Sequence, residues 1–144
     1  MLTGSMRGLL ALTIALAVGA LSGCSLFGLG GEDRQVPQGD AWRTEVVEAI
    51  EGTPGVTSSS VVVQESDNGA GYSGPLLYGS IKVEGDAQAV VDDAMLRVSE
   101  VLGQESDGVR LNIYVSADGG PAEKLRQYGY DGVSDGAALW EATH

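Results

Sequence analysis

The stretch that decides the fold is AQAVVDDAMLRVSEVLGQESDGVRLNIYVSA, residues 87–117. In its first half, apolar side chains recur every three or four positions, which is the pattern of a helix with one buried face. Its second half changes to strict alternation over residues 109–117, which predicts a half-buried strand. Asp86 precedes the helical pattern and Gly103 ends it, as a cap and a stop signal. The apolar helical positions are Ala87, Val90, Val91, Ala94, Val98, Val101 and Leu102.

Upstream of this stretch, the sequence predicts one more helix and a hairpin. Residues 41–51 place Trp42, Val46, Ala49 and Ile50 on one helical face, with Asp40 as N-cap and Gly52 as stop. Residues 56–65 are rich in β-branched side chains and predict a strand. Residues 76–84 predict a second strand in which Leu77, Gly79, Ile81 and Val83 alternate with Tyr78, Ser80 and Lys82.

The predicted order is therefore helix, strand, strand, helix, strand. It indicates an α+β fold: a small sandwich with a three- or more-stranded, mostly antiparallel sheet and two main helices on one face. This order is similar to that of ferredoxin-like and BON-like sandwiches, a resemblance of topology that implies no function. In the tail we expect a short helix between Pro121 and Gly129, and either a helical turn or an edge strand over residues 136–144. The predicted anchors of the tail are Leu125, Tyr128, Leu139 and Trp140.

Charge and cysteine content narrow the functional classes. The chain of 144 residues has a formal net charge of −12, which repels phosphate backbones and argues against nucleic-acid binding. Its one cysteine, Cys24, cannot form an internal disulfide, and one cysteine with one histidine, His144, cannot build a zinc site. We expect His144 to be frayed, which leaves a nucleophile–histidine–acid triad without its base.

The N-terminal segment has the three parts of a secretory signal. Arg7 precedes the apolar run LLALTIALAVGA, residues 9–20, and small residues follow. The sequence LSGC at residues 21–24 resembles the lipobox of bacterial lipoproteins. That resemblance implies a diacylglyceryl group on the Cys24 sulfur and cleavage before Cys24. An uncleaved membrane helix is the alternative, because no charged residue lies between Arg7 and Glu32.

These observations divide the chain into a signal peptide (1–23), a lipidated N-terminus with a flexible linker (24–40) and an α+β domain (41–144). The resemblance places the domain on the extracytoplasmic face of the cell membrane, held there by its lipidated cysteine. The build of the chain, including LWEATH at residues 139–144, resembles small lipoproteins of high-GC Gram-positive (actinobacterial) species. This second resemblance implies no activity.

Motifs that suggest chemistry are incomplete. GAGYSG at residues 69–74 matches G-x-G-x-x-G, but a strand rather than a helix is predicted to follow, so nucleotide binding is not expected. DGVSDG at residues 131–136 has Val133 where a calcium loop needs an oxygen ligand. Asp92 and Asp93 point about 100° apart on a helix, which is typical of a solvated face.

The sheet side opposite the helices is the candidate contact surface. Helices on one face leave mixed apolar, aromatic and basic side chains on the other. The alternatives are that the C-terminal tail covers this side or that it is simply solvated. We therefore predict a non-catalytic binding module without metal or cofactor, with an envelope protein as its partner. A ligand carrier or enzyme using converging carboxylates, and a structural envelope protein, are the competing hypotheses. The candidate surface residues are Leu76, Tyr78, Lys82, Arg110, Asn112 and Tyr114.

Overall fold

A computed structural model describes residues 34–67, 69 and 73–144 of the chain. The compact unit that it describes runs from Arg34 to His144. The predicted signal peptide and Cys24 lie outside the described residues. The elements in chain order are α1 (Ala41–Glu51), β1 (Val56–Ser59), β2 (Val62–Asp67), β3 (Ser73–Val83), α2 (Ala87–Leu102), β4 (Arg110–Ala117), β5 (Ala122–Lys124), a 3-10 turn (Leu125–Tyr128) and α3 (Gly136–Thr143).

Both predicted helices form, with their apolar stripes turned inward. In α1, three of the four predicted residues are buried, and Ala49 is half-buried. In α2, five of the seven predicted residues are buried together with Met95 and Ser99, whereas Ala87 and Val101 are half-buried. The Asp86 side chain accepts a hydrogen bond from the backbone N–H of Ala89, so it caps α2 as expected. Asp40 stands at the N-cap of α1, but its side chain makes no capping hydrogen bond and instead lies 3.6 Å from Arg43.

The sheet is mixed, and the predicted α+β class is confirmed. β3 lies at its centre and pairs in parallel with β4, the strand that follows the α2 crossover. β1 and β2 pair antiparallel with successive parts of β3 along its other edge, and β5 pairs antiparallel with β4. Three of the four strand pairings are thus antiparallel, as the sequence predicts, and the parallel pairing is the one that α2 connects.

The strand predicted over residues 56–65 is broken at Ser60–Val61, which corrects the prediction of one continuous strand. Here the chain passes directly over Gly79 of β3, whose φ is +147°. A Cβ atom at Gly79 would lie 2.6 Å from both the Ser60 carbonyl oxygen and the Val61 Cα. The Ser60 backbone N–H donates to the Ser80 carbonyl, and Val61 enters the core. The missing side chain of one glycine therefore permits this close approach.

Helices α1, α2 and α3 lie against one side of the sheet. The buried strand residues are the alternate set Leu77, Ile81 and Val83 in β3 and Leu111, Ile113 and Val115 in β4, which confirms the predicted alternation. They share a single hydrophobic cluster with the stripes of α1 and α2 and with Leu139 of α3. None of the helices in the described part of the chain is long and apolar enough to cross a membrane.

The tail differs in part from its prediction. Residues 122–124 form the edge strand β5 rather than the start of a helix, and the 3-10 turn that follows ends at Gly129 with φ +95°. The last segment forms helix α3, the first of the two expected alternatives. Its Thr143 hydroxyl donates to Ser99 of α2 at 2.9 Å, so the tail packs on the helix layer.

The start of the compact unit is fixed by backbone contacts. The Gly108 N–H donates to the Gln35 carbonyl at 2.7 Å, and the Gln35 N–H donates to the Asp107 carboxylate at 2.7 Å. Residues 34–36 therefore lie beside the turn that precedes β4. The chain enters the domain at this end of the sheet.

Candidate functional site

The six predicted surface residues are brought together on one side of the sheet. The β3–β4 register pairs Leu76 with Arg110 and Tyr78 with Asn112, so each pair is directly cross-strand. Tyr114 lies opposite Ser80, in the next row of the same side. Lys82 completes β3 on this side, one row further along. We call the sheet side that carries these six residues the open face.

One part of the open face is apolar. Val62 of β2 pairs with Tyr78, and the two side chains are 48% and 44% exposed. Leu76 lies beside Tyr78 on the same side and is half-buried. Exposed aliphatic and aromatic side chains that touch across neighbouring strands form a contiguous apolar surface, as binding surfaces do. Sequence reasoning missed Val62 because it lies in the run VVV, which has no alternation.

The other part of the open face is basic and aromatic. Lys124 of β5 pairs with Tyr114, and Lys82 stands in the adjacent row. From the strand spacing, the Cα atoms of Lys82 and Lys124 are about 12 Å apart. Lys124 was not predicted for this surface, because β5 consists of three exposed residues without an alternating pattern. Only its pairing with Tyr114 assigns it to this side.

The C-terminal tail does not cover the described part of the open face. Leu139 of α3 is fully buried in the core between the helices and the sheet, and Thr143 of α3 contacts α2. The hydroxyl of Tyr130 donates to Asp92, also on α2, at 2.7 Å. These contacts all lie on the helix side of the sheet. The half-exposed Tyr78 and Val62 agree with this placement.

A cleft of about 310 Å³ opens at the outer edge of the sheet, between β5 and the segment that leads into α3. Leu111, Ile113 and Leu125 form apolar walls, and the cations Lys124 and Arg126 also line it. Asn112 and Lys124 belong both to this cleft and to the open face, so the two surfaces are continuous. The cleft has a single carboxylate residue, Asp131, in its lining. This cleft therefore does not itself present a pair of converging carboxylates.

The Tyr130–Asp92 contact fixes one wall of this cleft. Tyr130 is buried, and burial together with its hydrogen bond to Asp92 raises the pKa of its phenol well above the ordinary value. Burial, followed by the nearby charge of Glu123, also raises the pKa of Tyr128. Asp92 is exposed, as expected for a solvated helix face. It accepts hydrogen bonds from Gln88 of the same helix and from the Tyr130 hydroxyl. The second of these bonds connects the tail to α2.

The remaining sequence motifs have structural roles. Asp135 accepts from the Ala138 N–H and caps α3. Asp93 pairs with Arg97 at 2.9 Å along α2. The His144 ring is not frayed, because it stacks on Trp140 with ring centroids 3.6 Å apart. Among residues 34–67, 69 and 73–144, no group of three or more His, Cys, Asp or Glu side chains is arranged to hold a metal ion.

Comparisons with known proteins add no relative. No protein family matches the sequence, no curated protein matches it, and no solved structure matches the fold at a significant level. The interpretation of this chain therefore depends on its own residues and geometry.

Proposed function

We propose that this chain is a lipid-anchored, extracytoplasmic binding module whose open face contacts an envelope protein. The observation that carries the proposal is the exposure of Val62 and Tyr78 next to each other, on a sheet side that no helix of residues 34–144 covers. Small domains normally bury such a surface against another layer of structure. A partner protein is the layer that would complete this sandwich.

The mixed character of the open face supports a protein partner. Tyrosine offers a large apolar body with a polar end, and it is enriched where proteins bind one another. Tyr78 and Tyr114 lie on neighbouring strands, in successive rows, with polar Asn112 and Ser80 as their cross-strand neighbours. This combination of aromatic and polar groups resembles the composition of protein interfaces more than that of a solvated surface.

The anchor part of the proposal depends on Cys24 and the apolar run before it. A thiolate is the side-chain nucleophile best suited to alkylation, and two acyl chains hold a protein firmly where one is marginal. Residues 25–33 separate Cys24 from the compact unit and span at most about 30 Å when extended. The domain would therefore act close to the membrane surface.

Intact-mass spectrometry of the membrane-extracted protein tests the anchor. We expect the wild type to lack residues 1–23 and to carry a diacylglyceryl group. The Cys24→Ala variant should carry no lipid. A wild-type chain of full, unmodified mass would contradict the lipoprotein assignment. It would not affect the proposal for the open face.

Pull-down from detergent-solubilised membranes tests the open face. Tyr78→Ala and Tyr114→Ala should each remove a protein that the wild type retains, because each deletes an interfacial aromatic ring. Leu96→Ala is the matched control, since Leu96 is also an exposed large apolar side chain, 36% exposed, but on α2. If all three variants retain the same proteins as the wild type, the open face is not the contact surface.

A further inference from the structure

The charged residues of the described strands are divided between the two sides of the sheet. The strand residues that share the side of Tyr78 and Tyr114 include Lys82, Arg110 and Lys124 and contain no carboxylate. The strand carboxylates Glu65 and Glu123 instead share the sides of Pro75 and Val115, toward the helix layer. In a chain of net charge −12, one sheet side whose described strand residues include cations but no carboxylate is unexpected.

Three cations on the open face and in the cleft form no ion pair within the described part of the chain. Arg43 and Arg97 of the helix layer are both engaged, with Glu65 and Asp93 respectively at 2.9 Å. Lys82, Lys124 and Arg126 form no ion pair with any described residue, although the chain has 20 acidic residues. Two carboxylate residues, Glu84 and Asp118, follow directly after the ends of β3 and β4.

The cleft extends this basic surface into a cavity. Lys124 and Arg126 stand at a cleft whose walls are apolar, and Lys124 also faces Tyr114 on the sheet. A cavity of about 310 Å³ with apolar walls accommodates one or two aliphatic side chains, and its cations suit a carboxylate beside them. A polyphosphate or a lipid headgroup would use the cations but leave Val62, Leu76 and the apolar cleft walls without a contact. The apolar component therefore favours a polypeptide.

We infer that the partner of the open face is an acidic polypeptide segment, whose carboxylates lie against Lys82, Lys124 and Arg126 and whose apolar side chain enters the cleft. This inference rests on the proposed function and specifies the chemistry of the partner. Charge complementarity would orient the encounter, because the acidic part of the domain repels an acidic chain while the cations of the open face attract it.

Fluorescence anisotropy with a defined probe tests the inference. The probe is a labelled synthetic peptide of leucine and glutamate in amphipathic helical order, and its control is the same peptide with lysine in place of glutamate. The mature protein should bind the acidic peptide, and added salt should weaken binding because it screens exposed charges. The basic peptide should not bind.

Two double variants assign the effect to the surface. Lys124→Gln with Arg126→Gln should weaken binding of the acidic peptide about tenfold, since it removes two exposed ion pairs. Arg43→Gln with Arg97→Gln removes the same charge from the helix layer and should leave the affinity unchanged. Lys124→Arg keeps the charge and should keep the affinity. Thermal melting of each variant separates lost binding from lost folding.

Three outcomes would overturn the inference. The first is binding of the acidic peptide that Lys124→Gln with Arg126→Gln does not weaken. The second is preference for phosphatidylglycerol vesicles or inorganic polyphosphate over the acidic peptide, and the third is no binding of the acidic peptide at all. If these occur while Tyr78→Ala still removes a membrane protein in the pull-down, the partner is not acidic but the open face remains a binding surface.

Discussion

Replacing Gly79 with alanine tests how the open face is built, because Gly79 lies between Tyr78 and Ser80 at the break between β1 and β2. Its φ of +147° lies in a region that residues other than glycine rarely adopt. Strain in the alanine backbone would therefore cost about 1–3 kcal/mol. The new Cβ would also lie 2.6 Å from two backbone atoms of the facing chain, which cannot move aside as a flexible side chain would. Relief of such a clash costs about 1–3 kcal/mol more.

We therefore expect Gly79→Ala to lower the free energy of unfolding by about 4 kcal/mol, the middle of the combined range. For a domain of this size, that corresponds to a fall in Tm of about 16 °C. Urea unfolding followed by circular dichroism measures the change. The slope of the unfolding free energy against urea should not change if the fold is retained.

Gly119→Ala is the matched control. Gly119 also has a positive φ, +78°, but a Cβ there would meet nothing within 4 Å. The control should therefore cost only the conformational term, about 1 kcal/mol. If Gly79→Ala is no more destabilising than Gly119→Ala, Ser60–Val61 does not pass closely over β3. The placement of Val62 beside Tyr78 would then be wrong as well.

Three further predictions concern the packing that leaves the open face uncovered. Tyr130→Phe should make stability less sensitive to alkali: the folded state holds the Tyr130 proton above the ordinary phenol pKa of 10.0, so the unfolded chain ionises first and wild-type stability falls as pH rises past that value. Melting temperatures of both proteins between neutral and alkaline pH measure this, and parallel curves would contradict it. Leu139→Ala should cost about 2–5 kcal/mol in urea unfolding, because Leu139 is fully buried where α3 joins the core; a change under about 1 kcal/mol would mean that the tail is not docked. Asp86→Ala should cost about 1 kcal/mol through loss of the α2 cap, whereas Asp40→Ala should cost less, since only Asp86 makes the capping hydrogen bond. Equal losses would refute that difference.

The sequence predicts an element well where burial of one side of that element determines its pattern of apolar residues. The alternation in β3 and β4 and the stripes of α1 and α2 follow from one buried side each, so the sequence predicts the α+β class and the common side of the six candidate residues. The class and the shared side of those six residues agree with the structure.

What the sequence did not reveal depends on contacts between distant segments. Lys124 joins the open face only through pairing with Tyr114, and β5 itself has no buried residue to mark it as a strand. The break in the first strand depends on a glycine some twenty residues away on the facing strand. Asp92 acquires its role from Tyr130, which lies far along the chain. Such features arise from tertiary packing, which local propensity does not encode.

Site-specific photocrosslinking in native membranes tests the central claim most directly. A photoreactive phenylalanine analogue replaces Tyr78 on the open face in one strain and Leu96 on the helix layer in another, since both side chains are partly exposed. The account predicts a discrete crosslinked protein from position 78 and none from position 96. Equal products from both positions, or none from position 78, would contradict the claim that the open face is the binding surface.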